Sequence, residues 1–271
     1  MRVLIAVVAA ACEFPEARTP QELWQAVLHG RQCFQRFPPG RLPLSDYVRG
    51  EDDPDGIYPI EAALIEGYAF DRSRFVVPKS SFIGTDTAHW MALDVADRAL
   101  ALLPSDWRAD AALKDRMAVI VANTLTGEFS RANLLRYRWP YVESRVREAI
   151  GSRMSEADAA SFVAGFERLF KEPFPAPDED SLAGGLSNTI AGRIANHFGL
   201  RGGAHAVDGA CASSLIGVIT ACERLQAGDV DCVVVGAVDL SLDPFELVGF
   251  ARNGALARGE MRVFDSESNG F

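Results

Sequence analysis

Four short stretches of the chain are apolar without polar alternation: residues 3 to 9, 117 to 121, 204 to 207 and 231 to 238. Runs of this length and character predict buried strands. Between and after them the apolar positions recur every three or four residues, the spacing of helices that bury one face. Thr19-Pro20-Gln21-Glu22-Leu23-Trp24 combines a capping threonine, a proline at the first helical position and a glutamate three residues after the cap. It predicts a helix running to about Gly30. Met91, Leu93, Val95, Ala96, Ala99, Leu100 and Leu103 predict a second helix over 86 to 103, closed by Pro104. Two more are expected at about 140 to 150 and 155 to 171, divided by Gly151, and another from Asn188 to Phe198. After residue 213, Leu215, Val218, Ile219, Cys222 and Leu225 mark a last helix that Gly228 stops.

The remaining segments read as connections. Arg31 to Lys79 is rich in Pro, Gly, Asp and aromatics with little periodicity, so long loops are expected there. Asn123-Thr124-Leu125-Thr126-Gly127 reads as a polar turn after the second strand, and Asp239 to Glu246 as an acidic turn around Asp243-Pro244. The carboxylates of that second turn have no matching ligand cluster, so no metal site is assigned. Strands interleaved with helices in this order describe an α/β layered protein.

Composition narrows the function classes. The chain has 271 residues, 48% hydrophobic, enough for one large domain or two small ones. A net charge of -10 argues against nucleic acid as a main partner. The most basic stretch, with Arg131, Arg136, Arg138, Arg145 and Arg147 among Tyr137, Trp139 and Tyr141, also holds glutamates and reads as a solvated or partner-facing helical surface. Five cysteines, Cys12, Cys33, Cys211, Cys222 and Cys232, are odd in number and include no CxxC pair. Neither a disulfide framework nor a zinc site is indicated, and a reducing cytoplasm is expected. The opening residues 1 to 12 have the charge, apolar run and small residues of a short signal peptide, but a first buried strand accounts for them equally. No apolar run is long enough to span a bilayer.

The candidate chemistry lies in Val207-Asp208-Gly209-Ala210-Cys211-Ala212-Ser213-Ser214-Leu215, where a strand ends, a small-residue turn carries a cysteine and a helix begins. At a helix N-terminus the free N–H groups and the helix dipole favour a thiolate and an oxyanion on an attached acyl group. Gly209, Ala210 and Ala212 leave room for a substrate beside the sulfur, and Ser213 and Ser214 can satisfy first-turn donors. The same spacing also fits a packed cysteine at a strand–helix junction. His197 and His205 are near Cys211 in sequence, so a Cys–His pair is one option, while a packed core histidine is the ordinary reading of each.

Several segments together resemble a known family. Ile5-Ala6-Val7-Val8 with Cys12-Glu13-Phe14-Pro15, Gly192-Arg193-Ile194-Ala195-Asn196-His197-Phe198, and Asp208-Gly209-Ala210-Cys211-Ala212-Ser213-Ser214-Leu215 resemble the β-ketoacyl synthase (ketosynthase) domains of modular polyketide synthases. Phe129 to Leu135 with Arg138-Trp139-Pro140-Tyr141, and Val238 to Phe250, resemble the ketosynthase of iterative type I synthases that make enediyne polyene cores, with polyunsaturated fatty acid synthases as near relatives. The resemblance implies a thiolase-like layered fold, α-β-α-β-α in a complete domain, of which residues 1–271 hold mainly the N-terminal half with a helical insertion at about 128 to 180. It implies that Cys211 takes an acyl chain as a thioester, that malonyl on acyl carrier protein is then decarboxylated, and that a Claisen condensation follows. No bound cofactor is implied, because the substrates ride on the carrier's phosphopantetheine arm. The partners implied are acyl carrier protein, malonyl and acyl thioesters, and a second copy of the domain; nucleic acid and membrane are not among them.

Two departures stand out. Most ketosynthases have threonine where Gly209 stands. Their two catalytic histidines and supporting lysine lie in a second half, beyond a segment that Ser268-Asn269-Gly270-Phe271 only begins, and match no position here. The expectation is a nucleophile-bearing half, with a non-catalytic dimerisation or carrier-docking piece, or a thiolase-type acyltransferase, as the alternatives. As half of a duplicated fold it should expose an apolar face.

Overall fold

The computed structural model describes residues 4–38, 46–49 and 53–271. In chain order the elements are α1 (Pro20–Leu28), β1 (Phe34–Gln35), β2 (Ala62–Ala63), α2 (Lys79–Gly84), α3 (Thr87–Leu100), α4 (Ala111–Asp115), β3 (Met117–Ala122), α5 (Glu128–Tyr137), α6 (Trp139–Ile150), α7 (Glu156–Lys171), α8 (Ser181–Gly184), α9 (Asn188–Phe198), β4 (Ala204–Val207), α10 (Ser213–Ala227), β5 (Cys232–Ala237) and α11 (Pro244–Arg252). The chain forms two compact units, one of Met1–Ile5, Phe70–Ala96 and Pro104–Leu240, the other of Ala6–Ala69, Asp97–Leu103 and Ser241–Phe271. Among the described residues, no helix is long and apolar enough to cross a membrane.

The first unit is built on a parallel sheet in the order β4-β3-β5. All six residues of β3 are buried, as an unbroken apolar run on a central parallel strand requires. Register pairs Ala122 of β3 with Val207 of β4 and with Ala237 of β5, so the three strands end together on one side of the sheet. Helices α9 and α10 pack against the sheet. Ile190, Ala191, Ile194, Ala195 and Phe198 of α9 are buried, the stripe expected from their spacing. Gly217 and Ala221 are the buried residues of α10's middle. The opposite face of α10 is apolar and open: Leu215, Ile216, Val218 and Ile219 are all exposed. Phe70, Phe75, Phe82 and Trp90 form a second cluster in this unit, with ring centroids 4.7 to 6.1 Å apart. In the stretch expected to hold an insertion, α6 packs on α7, and Trp139 meets Phe166 and Phe170 at 5.8 and 5.6 Å.

In the second unit, Thr19 and Glu22 form the expected reciprocal cap on α1. β1 and β2 make a short antiparallel pair within the region read as loops. Arg98 ties the chain after the first residues down, donating to the Cys12 carbonyl at 3.1 Å, the Arg18 carbonyl at 2.8 Å and the Glu13 carboxylate at 2.8 Å.

Three sequence expectations need correction. Residues 4 to 9 form no strand, and Leu4, Val7 and Val8 are exposed; Val3 lies outside the described residues. No described strand lies beside this run, and an extended segment cannot satisfy its backbone groups without a partner. Asp243-Pro244 opens a helix rather than a turn: the Asp243 carboxylate accepts from the Glu246 N–H at 3.1 Å and Pro244 takes the first helical position of α11. The residues just before 140, where the spacing predicts no element, form helix α5. Its cap comes from far away in sequence, since buried Asp86 accepts from the Ser130 N–H at 2.9 Å and the Ser130 hydroxyl at 3.0 Å.

Candidate active site

The parallel strands deliver three chain segments to one edge: 123 to 127 after β3, 208 to 212 after β4, and the residues after β5. Loops at the carboxyl ends of parallel strands are where α/β sheets hold ligands, because there the backbone leaves the ladder while the sheet holds it in place. The segment after β3, read from sequence as an ordinary turn, is a framework. Asn123, buried, donates from Nδ2 to the Val238 carbonyl at 2.8 Å and to the Thr126 carbonyl at 3.1 Å. Its Oδ1 accepts from the Thr126 N–H at 2.7 Å. The Thr126 hydroxyl donates to the Gly185 carbonyl at 2.9 Å.

Cys211 sits in a 3-10 turn, Ala210–Ala212, that leads directly into α10. Its side chain is exposed. Ala210, just before it, has φ +50°, a left-handed conformation that costs an L-residue about 1–2 kcal/mol. Side chains on both flanks hold it there. The Ala210 N–H donates to Asp208 Oδ1 at 2.9 Å, and the same oxygen accepts from the Thr124 hydroxyl at 2.9 Å. The Ser213 hydroxyl donates to the Ala210 carbonyl at 2.6 Å and accepts from the Gly209 N–H at 2.8 Å. Ser213 therefore reaches back into the turn and does not cap the first-turn donors of α10, which no side chain caps.

The electrostatics follow from these bonds. Hydrogen bonds from the Ala210 N–H and then the Thr124 hydroxyl hold the Asp208 carboxyl below the usual carboxylate range, so it is ionised at neutral pH. Burial pushes the Cys12, Cys33 and Cys232 thiols up, which keeps them protonated. Among the described residues nothing accepts from the Cys211 N–H, leaving it directed at whatever bonds to the sulfur. Neither His197 nor His205 is hydrogen-bonded to Cys211. His197 is exposed and its ring lies 5.3 Å from Phe75 and 4.7 Å from Phe198, while His205 sits in β4 opposite Ile120. Among the described residues no group of three His, Cys, Asp or Glu side chains is placed to hold a metal ion.

Thr124, Asp208 and the backward reach of Ser213 are the parts of the site that sequence reasoning missed. The signal available was an aspartate two residues before an alanine flanked by glycine and cysteine, an arrangement in which Asp commonly bonds the backbone two positions on.

A family model described as "Beta-ketoacyl synthase, N-terminal domain" matches residues 4–271. The chain is 30% identical over 269 residues to the Spectinabilin polyketide synthase system protein NorC of Streptomyces orinoci, covering 98% of this chain and 10% of that protein. It is 28% identical over 278 residues to a polyunsaturated fatty acid synthase polypeptide of Thraustochytrium sp., covering all of this chain and 9% of the relative. Among solved structures, "PfaC Keto synthase-Chain length factor" superposes with a TM-score of 0.76 at 24% identity, over 98% of this chain and 27% of the other. The fold is thus the α/β thiolase-like fold of ketosynthases, and the chain spans about a tenth of the length of these curated relatives. With a family model covering nearly every residue and a ketosynthase fold beneath it, the chain belongs to the β-ketoacyl synthase N-terminal domain family.

Proposed function

We propose that this chain supplies the nucleophile of a decarboxylative condensing enzyme in polyketide biosynthesis, with Cys211 accepting the growing acyl chain from acyl carrier protein. The observation that carries this reading is the exposed Cys211 with an unengaged backbone N–H, presented at the carboxyl end of a parallel sheet and at the entry to α10. The thiolate sulfur attacks the carrier-bound thioester carbonyl; the oxyanion forms beside the Cys211 N–H; the carrier's thiolate leaves and takes a proton. The acyl group then rests on Cys211. Decarboxylation of malonyl needs donors for the developing enolate, and those are supplied by groups outside residues 1–271, so the chain alone is acylated but does not form a carbon–carbon bond. The open apolar face of α10 supports association of this unit with further chain.

Within that family, the segments 129 to 141 and 238 to 250 favour the iterative synthases of enediyne polyene cores. The polyunsaturated fatty acid synthase type is the second reading, favoured by the 28% identity to the Thraustochytrium protein over the whole chain. A soluble cytoplasmic homodimer is the setting that either reading entails.

The test is direct acylation. Incubated with an acyl carrier protein loaded with a radiolabelled medium-chain acyl group, the chain should acquire label at Cys211, and Cys211→Ala should acquire none. Label retained by the Cys211→Ala chain would sink the assignment, and β-ketoacyl product formed from acyl and malonyl carriers by residues 1–271 alone would sink the division of labour.

A further inference from the structure

The register of the sheet places two side chains that no motif pointed to against the turn that carries the nucleophile. Ala122 and Val207 are partners on β3 and β4, so Asn123-Thr124 and Asp208 leave the sheet side by side. The Asn123 N–H still donates to the Val207 carbonyl at 3.3 Å, and Asn123 is anchored through its side chain to Val238. Thr124 therefore projects from a fixed frame. Its hydroxyl donates to Asp208 Oδ1, the oxygen that also takes the Ala210 N–H. Ala210 has the positive φ that turns the chain at Cys211, and a residue without a glycine's freedom relaxes out of that conformation unless its neighbours prevent it.

We propose that Thr124 and Asp208 are positioning residues for acyl transfer to Cys211: together they lock Ala210 in its left-handed conformation and so aim the Cys211 N–H and sulfur at the incoming carbonyl. The inference rests on the reading of Cys211 as acyl acceptor and adds a specific dependence to it. Thr124 and Asp208 are exposed, so neither is there for burial. Removing the Thr124 hydroxyl leaves Asp208 with one donor fewer and free to swing; removing the Asp208 carboxylate releases the Ala210 N–H itself. In both cases the fold survives and the aim of the turn is lost.

The experiment compares Thr124→Val, Thr124→Ser, Asp208→Ala and Asp208→Asn with the wild-type chain, reading acylation of Cys211 by an acyl N-acetylcysteamine thioester, alkylation by iodoacetamide, thermal midpoint and hydrogen exchange at the Ala210 amide. Misaiming a nucleophile costs rate without costing stability, so Thr124→Val should be acylated about tenfold more slowly, with the midpoint moved by no more than about 2 °C. Alkylation, which needs no oxyanion donor, should change by less than about twofold. Thr124→Ser restores the hydroxyl and the rate; Asp208→Asn keeps an acceptor oxygen and should outperform Asp208→Ala. The Ala210 amide should exchange faster in Thr124→Val and Asp208→Ala than in wild type. Acylation of Thr124→Val at the wild-type rate, or a Thr124→Ser chain as slow as the valine variant, overturns the proposal while leaving Cys211 as acceptor. If wild-type Cys211 takes no acyl group, the acyl-transfer reading falls, and the lock stands or falls on the order of Ala210 exchange rates alone.

Discussion

The δ-carbon of Ile216, one turn into α10, occupies the place where a β-carbon on Gly209 would stand. Gly209 has φ −146°, which any residue adopts, so the glycine is needed for space and not for backbone freedom. Gly209→Ala should therefore cost about 1 kcal/mol through crowding, at the low end for overpacking because Ile216 is partly exposed and can turn aside. Trimming the δ-carbon should relieve it: in the Gly209→Ala/Ile216→Val double variant the two substitutions should cost less than their sum. Urea midpoints of the four chains measure this coupling, and strict additivity would show that the contact carries no constraint. The departure from the threonine common in ketosynthases is then a matched pair.

Asp86 and Ser130 bind α5 to the start of α3 through a buried carboxylate, which also accepts from the Ala88 N–H at 3.0 Å. A β-carbon on Gly127, the residue before α5, would run into that carboxylate. Ser130→Ala removes one bond to a buried charged group and should cost about 1.5 kcal/mol. Gly127→Ala should cost more, about 2–3 kcal/mol, because the displaced carboxylate loses several donors at once. Chemical denaturation of both variants reads these values; equal stability of Gly127→Ala and wild type would mean the carboxylate has room to move.

His89 is fully buried and neither ring nitrogen has a partner among the described residues. Burial, and then the nearby positive charge of Arg193, push its pKa down to about 3. Since the folded value lies below the unfolded 6.5, the unfolded chain binds a proton that the folded chain refuses. The contribution of His89 is flat above about pH 6.5 and falls between there and about pH 3, with a slope of at most about 1.4 kcal/mol per pH unit. The His89→Leu chain should lose less stability than wild type between about pH 7.5 and about pH 5, as read by urea unfolding at each pH. Parallel losses would place the acid sensitivity elsewhere.

Cys211 is exposed, while the other four cysteines are partly covered and three of them have thiols raised by burial. Sub-stoichiometric iodoacetamide at neutral pH should label Cys211 first, and the fast phase should vanish in Cys211→Ala. Peptide mapping that finds Cys33 or Cys222 modified before Cys211 would remove the case for an accessible nucleophile.

The local periodicities determined a good deal of this protein. The cap at Thr19 and Glu22, the helices ending at Ile150, Lys171 and Phe198, the stop at Gly228 and the strands leading to Ala122, Val207 and Ala237 all rest on interactions within a few residues, which composition and spacing encode directly. The place of Cys211 between a strand and a helix was legible for the same reason. Helix α11 was also encoded locally, in Asp243-Pro244 and Glu246, but the same residues serve turns, and only the bond from the Glu246 N–H distinguishes the two. Other features were decided in three dimensions. Residues 4 to 9 have the composition of a strand and form none, because a strand exists only through a neighbour's hydrogen bonds. Helix α5 is capped by Asp86, which tertiary folding brings to it. Above all, Thr124 and Asp208 meet because β3 and β4 run parallel in one register, and a relationship between residues 84 positions apart leaves no trace in the spacing of either segment.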